Sequence, residues 1–418
     1  MAQLSKDSFS TNGALMPVEE AVQLLHARVP AVNESEDLPL GRCDGRVLSQ
    51  TLIAPVDLPM FDNSAVDGYA VRFDDLVTHG ETVLPIEGRV AAGHALEKVV
   101  ARGGALRIFT GAPMPQGFDT VFMQEDVRLL EAERVALPAG LARGANYRPR
   151  GEDLARGAEA LTQGRRLTPE DLGLAAALGV PSLRVRRKLR AAVFSTGDEI
   201  ISPGQAPHAA AVYDANRFVL QSLLHRLGIE VTDLGILRDD SAAIAAALTA
   251  AARAHDLVIT SGGVSTGEED HVKGAVGDTG SLVFWRLAIK PGRPVAMGII
   301  EGTPFVGLPG NPVAVFITFA YVVRPLIAAL SGALPEPPKL MPVVSGFSFK
   351  KKEGRREYVR VSLTCTEAGE MVAEKYPVDG AGVLTSLTRT HGLVELREDV
   401  TKVAPGDKVG FIDYAMLR

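Results

Sequence analysis

Residues 256–273 read DLVITSGGVSTGEEDHVK. The stretch opens on a short apolar run, Leu257-Val258-Ile259, that fits a buried strand. A glycine-rich turn follows, Ser261-Gly262-Gly263-Val264-Ser265-Thr266-Gly267, and then the acids Glu268, Glu269 and Asp270 at the expected start of a helix. Glycines let backbone N–H groups converge on one anion, and a helix N-terminus adds partial positive charge at the same spot. A carboxylate beside such a hole is costly unless a cation or a proton offsets the repulsion. Two readings follow. One is a phosphate or oxyanion cradle with a divalent cation. The other is a strand–turn–helix corner whose acids only complement the helix dipole.

The flanking pattern separates them. From Arg190 onward, strands and helices alternate. A strand over 191–194 leads into Ser195-Thr196-Gly197-Asp198-Glu199. A helix over 214–227 is capped by Asp214 and stopped by Gly228, and a strand within 229–237 precedes Arg238-Asp239-Asp240. An Ala-rich helix over 241–254 carries a Ser241 cap. Strands over 282–289 and 295–300 flank Lys290-Pro291-Gly292-Arg293-Pro294. A strand over 304–308 passes through Pro309-Gly310-Asn311-Pro312 into an apolar helix. This order implies βαβ units and a mostly parallel sheet, whose ligands bind at the carboxyl ends of the strands. Every polar cluster named above follows a strand, so all are expected on one rim. The opening stretch lies among them and reads as part of a site. It contains neither the dinucleotide GxGxxG pattern nor a P-loop, which disfavours an ordinary dinucleotide enzyme or NTPase.

The remaining segments surround this unit. Residues 16–28 (MPVEEAVQLLHAR) have the spacing of an amphipathic helix. In 60–70 (MFDNSAVDGYA), Asp67-Gly68 favours a tight turn presenting a carboxylate. Residues 73–147 read as a small β-domain containing RIFTGAPMPQGFDTVFMQED. RPRGED at 148–153 reads as a solvated ion-pair loop. The longest apolar run, 313–330, is interrupted by Arg324-Pro325, leaving a piece too short to span a bilayer. After PEPP at 335–338, alternating apolar and polar residues predict a small β-barrel, with the basic run Lys350–Arg356 as a solvated hairpin tip.

Composition bounds the whole. The chain has 418 residues, 46% hydrophobic and 22% charged, which fits several globular domains. A net charge of −6 argues against a nucleic-acid partner, while leaving room for an anion site in one cleft. Two cysteines, Cys43 and Cys365, exclude a disulfide framework and fit a reducing, cytoplasmic setting. No secretory signal pattern or membrane span is expected.

The motifs FDNSAVDGYA, TGAPMPQGFDTV, RGED, STGDE, DANR, SGGVSTGEED, LAIKPGRP and LPGNPV, in this order, resemble the molybdopterin molybdenumtransferase family, which includes the gephyrin E domain. The resemblance covers nearly the whole chain. It implies a multidomain α/β protein: a doubly wound, mostly parallel molybdopterin-binding domain at 187–331, with the N-terminal helix of 16–30 packed on it. A connecting domain is expected at 31–72 and 148–186, a small β-rich domain at 73–147 and a C-terminal β-barrel-like domain at 335–418.

It further implies a homodimer that takes adenylylated molybdopterin and molybdate, inserts molybdenum and releases AMP with Mg2+. A molybdopterin adenylyltransferase is the implied substrate donor. Ser261, Gly262, Gly263 and Ser265 would hold phosphate oxygens. Lys290, Arg293 and the turn from Pro309 to Pro312 would receive molybdate. Glu199 and Asp270 would carry the metal, with Asp239 as a further acid. Asp67, Thr110 and Asp153 match family motif positions and are expected in the site from the facing protomer or neighbouring loops. Arg286 stands where the family usually has Lys, and Ala314 where Ser is common; Ser386 and Arg389 lie in a divergent stretch. Two other functions are weighed: a tungstate-inserting relative, and a molybdopterin-binding scaffold without turnover.

Overall fold

The structure is a computed structural model and describes residues 15–96, 100–238, 240–262 and 280–417. Its centre is a six-stranded sheet in the order Glu230–Leu237, Arg190–Thr196, Leu257–Ser261, Thr303–Leu308, Pro294–Ile300, Gly280–Arg286. The first four strands are parallel neighbours, and the last two add antiparallel pairs. Alternation along the strands sorts the core into two faces, because successive side chains point to opposite sides. Ala191, Val193, Leu257 and Ile259 pack with helix Asn216–Arg226 and the helix from Pro312 onward. Ala192, Phe194 and Val258 pack with Ile244 and Leu248 of helix Ser241–Ala254. Helices on both faces make the sheet doubly wound, as the resemblance implies.

Two local expectations change. Helix Ser241–Ala254 is capped by Asp240, not Ser241: its Oδ1 accepts from Ala242 N at 2.9 Å and Ala243 N at 3.0 Å. A carboxylate satisfies two orphan donors and also complements the helix dipole. The apolar helix runs unbroken from Pro312 to Ser331. Arg324-Pro325 does not interrupt it, because Phe319–Val323 forms a π-helical turn just before the proline. Such a turn reroutes the backbone bonds that proline disturbs. By length and hydropathy the helix could cross a membrane, yet 83% of its most apolar window is buried inside the protein. It is the core helix of the central domain.

Helix Val18–Arg28 buries Val18 and Ala21 in the same core. A connecting region pairs Ser35–Pro39 with Ser182–Arg186, and its helix Pro169–Ala177 starts with a Thr168–Asp171 capping box. A second six-stranded sheet has the order Thr120–Met123, Gly68–Val71, Ala105–Ile108, Thr82–Val90, Arg134–Leu137, Arg128–Leu130. Gly68–Val71, expected in the connecting segment, is an interior strand here. A Cβ at Gly68 would lie 1.8 Å from Phe122 O, so only glycine permits the pairing.

In the C-terminal domain the strands Arg356–Cys365, Met371–Lys375, Met341–Ser345, Lys408–Asp413 and Gly392–Leu396 close on themselves, since the first also pairs with the last. Ile289–Lys290 of the central domain joins this barrel beside Arg356–Glu357. The basic run is a solvated tip only in part: Lys350, Lys352, Glu353 and Gly354 are exposed, but two of its cations are held. Lys351 Nζ donates to the carbonyls of Arg355 at 2.7 Å and Glu398 at 3.2 Å. Arg356 lies among Glu19, Glu395 and Glu398. Lys351 and Arg356 turn inward because main-chain carbonyls receive the first and the largely buried Glu395 carboxylate is among the acids around the second.

Candidate functional site

Strand ends of the central sheet are tied to one another at the carboxyl rim. Ser261 is buried where Leu257–Ser261 ends. Its Oγ donates to Pro309 O at 3.2 Å and accepts from Asn216 Nδ2 at 2.9 Å. The same amide nitrogen donates to Gly310 O at 2.7 Å. Gly262 N donates to Leu308 O at 3.1 Å. Gly262 has φ +90°, and a Cβ there would lie 3.0 Å from Thr196 O, so the close backbone approach requires glycine. Asn216 Oδ1, Ser195 Oγ and Thr260 Oγ1 are buried without a hydrogen-bond partner among the described residues. Buried polar atoms ordinarily have partners; Ser195 and Asn216 lie on the Ser261 face of the sheet and Thr260 on the opposite face, so the first two mark where a polar ligand or water would complete the bonding.

Glu199 follows the strand Arg190–Thr196 and is exposed, its carboxylate lying over Gly197: a Cβ at that position would come within 2.6 Å of Oε2. Arg238 reaches across to Asp198 at 4.0 Å. On the other side, the turn holding Lys290 and Arg293 rests on the core helix, since a Cβ at Gly292 would meet Thr318 Cγ2 at 2.7 Å. Both cations are exposed, and Lys290 Nζ lies 3.4 Å from Glu357 of the C-terminal barrel. Pro312 opens the core helix, and Val313 N donates to Ala381 O at 3.0 Å, which brings a barrel loop to the same rim. Every described strand-end cluster thus lies on one rim.

A second group is built on the small sheet and the connecting region. Asp67 Oδ1 accepts from Thr110 N and Thr110 Oγ1, each at 2.8 Å. The Thr110 N–H, then its hydroxyl, hold the Asp67 carboxyl below the usual carboxylate range. Arg107 stacks over Tyr69 and Phe109, with its carbon 5.0 and 4.9 Å from the ring centroids. Asp153 is exposed, and its N–H donates to Leu58 O at 3.0 Å. The RPRGED loop is more than a solvated ion pair: Arg150 N donates to Asp62 Oδ1 at 2.8 Å and its side chain pairs with Asp57. That bracing fixes the position from which Asp153 projects. No hydrogen bond or ion pair joins this second group to the rim among the described residues.

Gly263, Ser265, Asp239 and Asp270 lie outside the described residues, as do Glu268, Glu269 and His271. Among the described residues no three His, Cys, Asp or Glu side chains gather in a cage for a metal ion. Asn216 and Glu357 were not singled out from sequence. The DANR motif marks Asn216, but nothing local says that its amide bridges two strand ends. Ser386 is fully buried and accepts from Arg360 Nε at 3.1 Å, inside the C-terminal domain.

Three family descriptions match in order: "MoeA N-terminal region (domain I and II)" over residues 16–179, "Probable molybdopterin binding domain" over 192–329, and "MoeA C-terminal region (domain IV)" over 342–414. A molybdopterin molybdenumtransferase of Haemophilus influenzae is 36% identical over 396 residues, covering 94% of this chain and 98% of that protein. Molybdopterin molybdenumtransferase 2 of Mycobacterium tuberculosis is 36% identical over 385 residues, covering 89% and 93%. The crystal structure of the molybdopterin biosynthesis moeA protein from Pyrococcus horikoshii superposes with a TM-score of 0.80 at 28% identity, covering 96% of this chain and 100% of that one. With relatives of this identity matched along almost their whole length, and the three regions in their order, the chain belongs to the molybdopterin molybdenumtransferase family.

Proposed function

We propose that the chain inserts molybdenum from molybdate into adenylylated molybdopterin and releases AMP. The observation that carries this reading is the rim where Ser261, Asn216 and the turn beginning at Pro309 are bonded together with orphaned polar atoms beside them. Adenylylated molybdopterin contains a phosphoanhydride, rich in acceptors; the unpartnered Ser195 hydroxyl supplies a donor, while Ser261 and Gly262, whose own donors go to Pro309 O and Leu308 O, shape the turn beside it. Molybdate is a dianion, and Lys290 and Arg293 give the rim its positive side.

Mg2+ takes oxygen ligands, commonly one or two carboxylates together with substrate phosphates. Glu199, an exposed carboxylate on the rim beside Asp198, fits that donor set, with Asp270 as its proposed companion. The ion would neutralise charge on departing AMP.

The Asp67–Thr110 pair and Asp153 have no described bond to their own rim. We assign them to the rim of a second protomer in a homodimer, where Asp67 positions groups around the reacting pterin. The reaction is placed in the cytoplasm, with which unpaired Cys43 and Cys365 are compatible. A molybdopterin adenylyltransferase would supply the substrate.

Purified protein given adenylylated molybdopterin, molybdate and Mg2+ should release AMP, measured by anion-exchange chromatography. Tight pterin binding with no AMP release would overturn the enzyme in favour of a scaffold. Faster release with tungstate than with molybdate would reassign the metal.

A further inference from the structure

Glu357 is a buried acid that the proposed chemistry leaves unused. It is 3% exposed, on the barrel strand Arg356–Cys365. A carboxylate out of water needs cations, and it has them from two domains. Arg355, on its own chain segment, donates through Nε at 2.8 Å and lies at 2.6 Å through Nη2. Lys290, from the central domain, places Nζ at 3.4 Å.

The backbones beneath are also joined. Ile289–Lys290 pairs in parallel with Arg356–Glu357, and Arg356 N donates to Ala288 O at 2.7 Å. Lys290 is therefore fixed at its base by a strand pair and at its tip by a carboxylate, while its side chain stays 57% exposed. The Glu357 contact is an ion pair at 3.4 Å, so the three donors of the ammonium stay available to an incoming anion.

We propose that Glu357 is a positioning residue for the molybdate site, holding the Lys290 ammonium at the rim and registering the barrel against it. This rests on the reading of Lys290 as a molybdate ligand. Two effects of the carboxylate oppose each other. Fixing a long, flexible side chain removes an entropy cost that molybdate binding would otherwise bear. A nearby negative charge weakens the field that attracts the dianion. Positioning and field therefore predict opposite changes when the charge is removed.

The experiment is a cycle of Lys290→Ala, Glu357→Gln and the double variant, with Glu357→Asp as the conservative control. The readouts are molybdate KM, kcat and thermal midpoint. Positioning predicts that Glu357→Gln raises molybdate KM about five- to tenfold with a smaller change in kcat. Glu357→Asp should stay within about threefold of the parent, because the charge-assisted contact survives. The double variant should match Lys290→Ala, since the acid acts only through the lysine.

A lower KM in Glu357→Gln means field alone and overturns the inference. So does a lower thermal midpoint with unchanged KM, or additive effects in the cycle. If Glu357→Gln does not fold, Glu357→Asp decides: its shorter side chain holds Lys290 less closely, so a KM raised about two- to threefold supports positioning and an unchanged or lower one overturns it. An unchanged KM in Lys290→Ala overturns the underlying site reading, which is distinct from a raised KM there with none in the Glu357 variants.

Discussion

At the scale of single residues, Asn216 does most to organise the rim. One amide nitrogen serves Ser261 Oγ and Gly310 O, leaving the amide oxygen buried and unpartnered among the described residues. Asn216→Ala should lower kcat/KM by about a hundred- to a thousandfold, the scale of losing one preorganised polar contact. Circular dichroism should show the fold retained; an unaltered rate would separate the amide from the chemistry.

Asp67 gives a pH prediction. Thr110 holds its carboxyl below the ordinary range, so the ionised form persists to lower pH in the folded protein. Any contribution of that ionised form is present above the unfolded pKa and lost as pH falls through the depressed folded pKa. Thr110→Val keeps the N–H and removes the hydroxyl bond, so the acidic limb of the kcat/KM profile should move to higher pH. A profile with its acidic limb unmoved would count against Asp67.

At the scale of elements, the interior strand Gly68–Val71 depends on the absence of a side chain. Gly68→Ala would place a methyl 1.8 Å from Phe122 O, forcing two paired strands apart. A loss of about 2–4 kcal/mol is expected in urea unfolding, the range of severe backbone and overpacking changes.

The entrance to the central sheet carries an ion pair. Asp256, just ahead of Leu257–Ser261, is reached by Arg187 Nη1 and Nη2, both at 2.7 Å, and by Arg190 N at 2.8 Å. Burial pushes this carboxyl up, but the Arg187 guanidinium and the Arg190 N–H outweigh it and hold it below the usual range. Its stabilisation is therefore present above the unfolded pKa and disappears as pH falls through the lowered folded value. Asp256→Asn should cost about 1.5–3 kcal/mol at neutral pH. It should also flatten part of the acid-side decline in stability, measured by denaturant titration at several pH values.

At the scale of the whole molecule, the residues assigned to the site fall in two groups with no described bond between them. If each catalytic site draws the rim from one protomer and the Asp67 group from the other, inactive variants should complement. Asp67→Ala mixed with Asn216→Ala after subunit exchange should regain about a quarter of parental activity, because half the dimers are hybrids and each hybrid has one intact site. No recovery, with hybrid dimers detected by native mass spectrometry, would place both groups in one protomer's site.

The sequence by itself determined what depends on local order. Alternating strands and helices dictated a mostly parallel sheet, and the period of two divided its core between two faces. It also placed the polar clusters on one rim, because each directly follows a strand. Tertiary structure alone decided which distant side chains meet. It set Asn216 between two strand ends, drew Lys351 and Arg356 inward, moved Gly68–Val71 into the small sheet and set Glu357 against Lys290. Local periodicity reports which face a residue occupies. It carries no signal for the partner waiting there, since that partner comes from another segment whose placement is fixed only when the domains pack.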